Sequence, residues 1–96
     1  MLELRSSCEN CKKPLPPTSE EAMICTYECT FCTDCVENVL LNVCPNCGGG
    51  FEKRPIRPKD GLLKHPPQQD SIYKPIDLKT FSPLRDRNVN ISPKDR

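Results

Sequence analysis

The sequence has little material from which to build an apolar core. It contains no Trp, aromatic residues make up 5% of its 96 residues, and its mean hydropathy is −0.60. No stretch approaches the roughly 20 consecutive apolar residues of a membrane-spanning helix. The N-terminus also lacks the basic segment and apolar run of a secretory signal peptide. A domain with so small a core usually needs metal ions or disulfides to fold.

All eight cysteines lie between residues 8 and 47, in four close pairs. The pairs are Cys8 and Cys11, Cys25 and Cys29, Cys32 and Cys35, and Cys44 and Cys47. Two thiolates at this spacing can face one metal ion, and two pairs complete the four-sulfur tetrahedron that zinc prefers. Without an export signal we expect a cytoplasmic protein, in which cysteines stay thiols, so disulfides are the weaker alternative. The sequence therefore predicts two Zn²⁺ ions per chain, with iron as an acceptable substitute.

The four pairs can share two ions in three ways. In the interleaved scheme, site 1 contains Cys8, Cys11, Cys32 and Cys35, and site 2 contains Cys25, Cys29, Cys44 and Cys47. The sequential scheme gives the first four cysteines to one ion and the last four to the other. The nested scheme wraps residues 25–35 around one ion and leaves no room for a helix starting near Thr33. We favour the interleaved scheme, because it joins both ends of the module into one cooperative unit; the sequential scheme stays open.

The clearest secondary-structure signal is a helix over residues 33–43. Thr33 is placed to cap it, and four apolar residues recur at helical spacing, namely Val36, Val39, Leu40 and Val43. Residues 23–28 predict a hairpin that carries Cys25 and ends near Cys29, and residues 51–57 predict one more strand. We expect the helix to face four apolar side chains, those of Leu15, Ile24, Tyr27 and Phe31.

Charge and proline content divide the chain in two. Residues 1–50 hold three Lys or Arg against seven Asp or Glu, giving −4, whereas residues 51–96 hold eleven against six, giving +5. Six prolines interrupt any periodic pattern after Arg57. We therefore expect a metal module over residues 1–57 and a Pro-rich basic tail over 58–96, extended or disordered. The most apolar part of that tail, residues 72–78, could dock on the module or on a partner, and we leave open whether residues 71–84 form an ordered docking segment.

Two resemblances refine the prediction. The series C-x2-C-x13-C-x3-C-x2-C-x2-C-x8-C-x2-C over residues 8–47 resembles the cross-braced ligand spacing of RING-finger domains. It implies a RING-like or treble-clef module, a small metal-stabilised α+β fold with short hairpins and one helix. More closely, the stretches MLELR (1–5), ICTYECTFC (24–32) and CPNCGG (44–49) resemble an uncharacterised bacterial family of short cysteine-rich proteins, known as a domain of unknown function. That likeness implies a cytoplasmic bacterial protein without an assigned activity.

The same residues argue against catalysis. Eight cysteines close two sites completely, whereas catalytic zinc needs an open position and a neighbouring base. The single histidine, His65, lies in the tail beside Pro66, and no nucleophile or phosphate-binding motif is present. Ubiquitin-ligase activity is disfavoured because three glycines follow Cys47 where those domains usually carry a basic residue.

The expected function is therefore structural. We expect a zinc-binding module that acts as a protein–protein interaction or adaptor domain, with Leu15, Met23 and Phe51 as contacts. One alternative is an accessory nucleic-acid binder that uses the basic tail, since the acidic module would repel phosphate. A second is a metal-handling or redox-responsive protein. No membrane partner is expected.

Overall fold

The computed structural model describes residues 1–69 and 72–96 and shows a small α+β fold of short elements. Its strands are β1 (Ala22–Ile24), β2 (Thr30–Cys32) and β3 (Glu52–Lys53). Its helical elements are α1 (Thr33–Cys35), a π-helix (Val36–Leu40), α2 (Lys59–Lys64), α3 (Leu78–Asn88) and a 3₁₀ turn (Pro93–Asp95). The predicted fold class is confirmed. Within the described part of the chain, no helix has the length and apolarity needed to cross a membrane.

The three strands form one antiparallel sheet with β1 in the middle. Ala22 pairs with Cys32 and Ile24 with Thr30, so the loop that joins β1 to β2 contains both Cys25 and Cys29. The predicted hairpin is therefore present and carries Cys25, but its second strand ends at Cys32 and not near Cys29 as predicted. On the other side of β1, Met23 pairs with Lys53, and the predicted third strand is limited to two residues. The sheet thus delivers Cys25, Cys29 and Cys32 from one hairpin.

The helix after β2 is shorter than predicted. It starts at Thr33 and ends at Leu40, where Leu41 takes a left-handed conformation with φ 50°, so Val43 lies in the following turn. The prediction that Thr33 caps this helix is wrong. Cys32 occupies the cap position, and the Thr33 hydroxyl donates instead to the backbone carbonyl of Glu21 at 2.9 Å. Thr33 therefore ties the start of the helix to the residue that precedes β1.

The core is small and mixes apolar side chains with cysteines. The rings of Phe31 and Phe51 meet edge to face with centroids 5.5 Å apart, and Leu40 and Val43 are fully buried beside them. Leu15 and Phe31 are buried as predicted. Tyr27 is 73% exposed, so its predicted place in the core is wrong. It lies in the loop between β1 and β2, which turns back at Glu28 with φ 65°.

The N-terminal arm is held against the module by a buried arginine. Leu4 is buried, and the guanidinium of Arg54, next to β3, donates to the backbone carbonyls of Arg5, Leu15 and Pro16 at 2.8–3.1 Å. Burial lowers the pKa of Arg54. A buried cation bound to carbonyls of three separate residues stabilises the arm and the loop after Cys11 together.

Replacing Arg54 with Ala should lower the free energy of unfolding by about 2–4 kcal/mol, because three carbonyls lose a charged donor. Chemical denaturation of the metal-loaded protein measures this. Lys53→Ala is the matched control, since Lys53 is exposed and adjacent, and it should change stability by less than about 0.5 kcal/mol. Equal effects of the two substitutions would contradict a structural role for Arg54.

The expectation of an extended or disordered tail is wrong for residues 59–64 and 78–88, which form α2 and α3. Asp77 caps α3 by accepting a hydrogen bond from the Lys79 N–H, and Phe81 is buried in the core of the module. Pro83 sits inside the helix and removes one backbone donor. Packing of Phe81 in the core compensates for the lost hydrogen bond. Helix propensity alone gives no sign of that packing. Residues 65–69 and 72–77 have no regular secondary structure.

Phe81→Ala should detach α3 from the module at a cost of about 3 kcal/mol or more, as for other buried phenylalanines. Hydrogen exchange should show lost protection of the backbone amides of α3, with the sheet still protected. Leu78→Ala is the control on the same helix, because Leu78 is 51% exposed. Unchanged protection of α3 in Phe81→Ala would contradict docking of the tail through this side chain.

Candidate metal centre

Four cysteines converge at one end of the sheet. The Sγ atoms of Cys8, Cys11, Cys32 and Cys35 all lie within 4.8 Å of one another. Cys8 and Cys11 come from a turn that we call the first knuckle (residues 8–11), and residues 44–47 form the second knuckle. At the first knuckle the Lys12 N–H donates to the carbonyl of Cys8 at 3.0 Å. Cys32 ends β2, and Cys35 ends α1. These are the four residues predicted for site 1.

The sulfur spacing of this group fits a tetrahedral metal ion. Sulfurs bound to zinc at about 2.3 Å in a tetrahedron lie about 3.8 Å apart. The Sγ atoms of Cys11 and Cys32 are 3.7 Å apart, close to that value and far from a disulfide bond of about 2.05 Å. All eight cysteines are described, and each is a free thiol. The donor set and its spacing therefore suit a closed structural metal site.

A second group combines the β1–β2 loop with the second knuckle. The Sγ atoms of Cys25, Cys44 and Cys47 lie within 4.8 Å of one another. Cys29, the fourth residue predicted for site 2, is not in this group; its Sγ accepts a hydrogen bond from the Asn46 side chain at 3.3 Å. Cys29 is nonetheless near enough to Cys25 for the two thiols to influence each other's charge. The structure thus brings together three predicted ligands of site 2 and places the fourth alongside.

Burial makes these thiols costly to ionise without a metal. Burial raises the pKa of Cys35 and of Cys44, and neighbouring thiols raise both further. Burial also raises the pKa of Cys29 and Cys32. At Cys11 burial acts in the same direction, but the backbone N–H of Lys13 and hydrogen bonds from neighbouring thiols outweigh it, and the pKa falls. A divalent cation would supply the charge that such clusters lack.

Hydrogen-bond donors surround the sulfurs in both groups. The Asn10 side chain donates to the Sγ of Cys35 at 3.3 Å, as the Asn46 side chain does to Cys29. Backbone N–H groups of Tyr27 and Gly49 donate to Cys25 and Cys47 at 3.3 and 3.4 Å. The bond from Gly49 comes from the run of three glycines that follows Cys47. The two asparagines were missed, although each occupies the third position of its knuckle, in Cys-Glu-Asn-Cys and Cys-Pro-Asn-Cys.

A buried carboxylate links the two groups of cysteines. Glu9 is 3% exposed and accepts hydrogen bonds at 2.7 Å from the Arg5 guanidinium and from the backbone N–H of Thr30. Thr30 lies between Cys29, which is alongside the second group, and Cys32 of the first group. Glu9 therefore fixes the first knuckle to the strand that both groups share. Only its place between Cys8 and Cys11 could have indicated this role.

The end of the tail covers the second knuckle. Gly48 has φ 77°, and a Cβ there would lie 2.8 Å from the Asn88 side chain, so this position requires glycine. Asn88 donates to the carbonyl of Gly48 at 3.3 Å, and Arg96 donates to the same carbonyl at 3.2 Å. The tail therefore packs on the turn that directly follows Cys47 of the second cysteine group.

A segment of the tail also crosses both knuckles. We call residues 72–77 the strap. Its Lys74 N–H donates to the carbonyl of Glu9 at 2.7 Å, and its Tyr73 ring lies 5.0 Å from the Lys12 ammonium. The predicted apolar segment of the tail thus docks on the module, in an ordered form from Ile72 onwards. Ser71, the first residue of the predicted docking segment, lies outside the described residues.

The other residues predicted to have a functional role lie away from the cysteines or inside the core. His65 is exposed at the end of α2 and belongs to neither cysteine group. Leu15 and Phe51 were predicted as partner contacts, but they are buried at 1% and 5% exposure, so that prediction is wrong for both. Their place in the core follows from the smallness of the module, which leaves few apolar side chains to fill its interior. Met23 is half-buried.

Comparison with known proteins agrees with the resemblance stated above. A family model described as "Protein of unknown function (DUF1272)" matches residues 1–57. An uncharacterised protein of Rhizobium meliloti (strain 1021) is 52% identical over 75 residues, which are 78% of this chain and 89% of the relative. Because 75 residues exceed the 57 matched by the family model, this likeness extends into the tail. No solved structure matches the chain.

Proposed function

This chain belongs to the DUF1272 family of proteins of unknown function, and we propose that it is a structural zinc module that binds another protein. The observation that carries the metal part is the convergence of two cysteine groups from four separate knuckles and loops. Tetrahedral thiolate sites favour zinc over other divalent metals of the cell. The interleaved ligand spacing supports a RING-like arrangement, with Cys8, Cys11, Cys32 and Cys35 at site 1 and Cys25, Cys29, Cys44 and Cys47 at site 2.

The proposed zinc ions do no chemistry. Four thiolates at each site leave no coordination position for water or substrate, provided that Cys29 completes site 2. The single histidine, His65, is exposed and belongs to neither group, so it is not placed to act as a base beside the metal. We therefore propose a non-enzymatic protein that works in the reducing cytoplasm, where its thiols stay available to metal.

The proposed partner is a protein whose binding surface has an apolar side chain at its centre and basic residues around it. A groove on the module presents Leu41, which is 40% exposed, beside the half-buried Met23, and Glu37 also lines it. Val36 and Phe51 line it too, but both are buried and offer a partner little surface. The first fifty residues carry −4, and eight thiolates with two Zn²⁺ add −4 more. This negative charge on the half of the chain that forms the groove, with Glu37 among the lining residues, favours a basic protein surface over nucleic acid.

The test compares two charge insertions at exposed leucines. Leu41→Glu should abolish capture of the partner by the zinc-loaded protein, whereas Leu63→Glu, on the 84% exposed leucine of α2, should not. The captured protein must then bind the purified wild-type chain in a two-component assay. A partner that binds Leu41→Glu as tightly as wild type would contradict the proposed groove.

Nucleic-acid binding by the tail is the weaker alternative. Two of the tail's three arginines, Arg85 and Arg96, donate to backbone carbonyls of the module, those of Val39 and Asn42. They are therefore engaged within the fold. Salt-dependent binding of DNA or RNA, lost when the exposed lysines of the tail are neutralised, would favour this alternative instead.

Metal handling is the second alternative, and one observation favours it. Cys47 is exposed and Cys29 lies outside the second group of sulfurs. If the protein handles metal, one ion should leave site 2 rapidly under mild chelation while site 1 keeps its ion. Equal retention at both sites would exclude this role.

A further inference from the structure

Each knuckle asparagine has one end on a sulfur and the other end on the strap. The Asn10 amide donates through Nδ2 to Cys35 and accepts at Oδ1 from the Ile76 N–H at 2.9 Å. The Asn46 amide donates through Nδ2 to Cys29 and accepts at Oδ1 from the Lys74 ammonium at 3.5 Å. The same two-ended contact thus occurs in both knuckles.

The strap is fastened to the module by further contacts. The Lys74 N–H bonds to the carbonyl of Glu9, and Ile76 packs as a half-buried side chain against the core. α3 follows directly and is anchored by the buried Phe81. The strap therefore has a fixed position from which it can hold the two amides.

Orientation of the amide matters because a side-chain amide is planar. When Oδ1 is held by a donor on one side, the N–H of the same group points in a defined direction on the other side. Four thiolates around one divalent ion keep a net charge of −2, which N–H donors stabilise. A freely rotating amide would lose this bond to the sulfur for part of the time.

We propose that the strap acts as an outer shell of both metal sites. It orients the amides of Asn10 and Asn46 toward the ligand sulfurs and thereby slows metal loss. This inference rests on the proposed metal-binding function. The Asn10 amide accepts from the backbone N–H of Ile76 at 2.9 Å, whereas the Asn46 amide accepts from the flexible ammonium of Lys74 at 3.5 Å. The strap should therefore control site 1 more strongly than site 2.

The experiment uses the full chain loaded with ¹¹³Cd²⁺, which reports each sulfur site as a separate NMR resonance. Asn10→Ala should shift the site 1 resonance, leave that of site 2 in place and speed metal transfer from site 1 to a chelator by about 10- to 100-fold, the usual effect of losing an outer-shell partner. Ile76→Pro, which removes the N–H at the strap end together with the isoleucine side chain, should affect site 1 in the same way. The double variant Asn10→Ala/Ile76→Pro should lose metal from site 1 no faster than Asn10→Ala alone, because both substitutions break the same chain of contacts.

Two controls separate this role from general destabilisation. Ile76→Ala keeps the N–H and removes the packing side chain, so its site 1 resonance should stay at the wild-type position. Asn38→Ala removes an exposed asparagine from the π-helix and should change neither site.

If wild type takes up two ions but Ile76→Pro leaves the resonance and exchange rate of site 1 unchanged, the inference is wrong and the proposed metal function stands. The same conclusion follows if Ile76→Ala matches Ile76→Pro. If wild type takes up no metal, both the proposed function and the inference are wrong.

Discussion

Removing the metal from the reduced protein should unfold residues 1–57 as one unit. Structural zinc contributes about 10–16 kcal/mol per site in small domains, whereas the whole free energy of unfolding of a typical protein is only about 5–15 kcal/mol. The apolar core here consists of few side chains, chiefly Phe31, Leu40, Val43 and Phe51.

Amide NMR dispersion during titration with a strong chelator measures this effect. We expect the dispersed resonances of the module to collapse together and to return when Zn²⁺ is added with a reductant present. A module that keeps its dispersion without metal, but loses it when a reductant is added, would instead be held by disulfides. That result would contradict the metal account.

Replacing Cys32 with Ser should unfold the whole module. Cys32 belongs to the first sulfur group, ends β2 and directly precedes the helix that leads to Cys44. In the interleaved arrangement, loss of site 1 therefore frees the first knuckle and also the strand that positions Cys29. We expect fewer than one metal ion per chain and loss of dispersion from the first knuckle through Cys47.

The sequential arrangement predicts a different pattern for the same variant. Cys8, Cys11, Cys25 and Cys29 would keep their own ion, and the first half of the module would stay folded. Thr26→Ala, an exposed position in the β1–β2 loop, serves as the control and should retain both ions. A Cys32→Ser protein with one tightly held ion and a folded first half would contradict the interleaved ligand sets.

The cysteine spacing predicted the site far better than it predicted the details of the fold. Ligand pairs are local, so their spacing along the chain indicates which two thiols face the same ion. The spacing did not decide which pairs share an ion, and it is the structure that brings the sulfurs of Cys8, Cys11, Cys32 and Cys35 together. The hairpin could also be predicted from the sequence, because β-branched and apolar residues flank its loop. Thr33 was misassigned as a cap because its hydroxyl has a distant partner, the carbonyl of Glu21, which no local pattern reveals.

The tail was the least predictable part. Its prolines and scattered apolar residues indicated disorder, yet one buried side chain, Phe81, and a cap at Asp77 fix an eleven-residue helix. The contacts of the strap with Asn10 and Asn46 span 66 and 28 residues of sequence. Tertiary contacts of this kind override local propensity and leave no periodic signal to read.

Native mass spectrometry of the full-length chain, isolated under reducing conditions, tests the central claim most directly. Two zinc ions per chain, with all eight cysteines in reduced form, is the result that we predict. A chain without metal, with one ion, or with its mass lowered by two hydrogens for each pair of cysteines joined as a disulfide would contradict it.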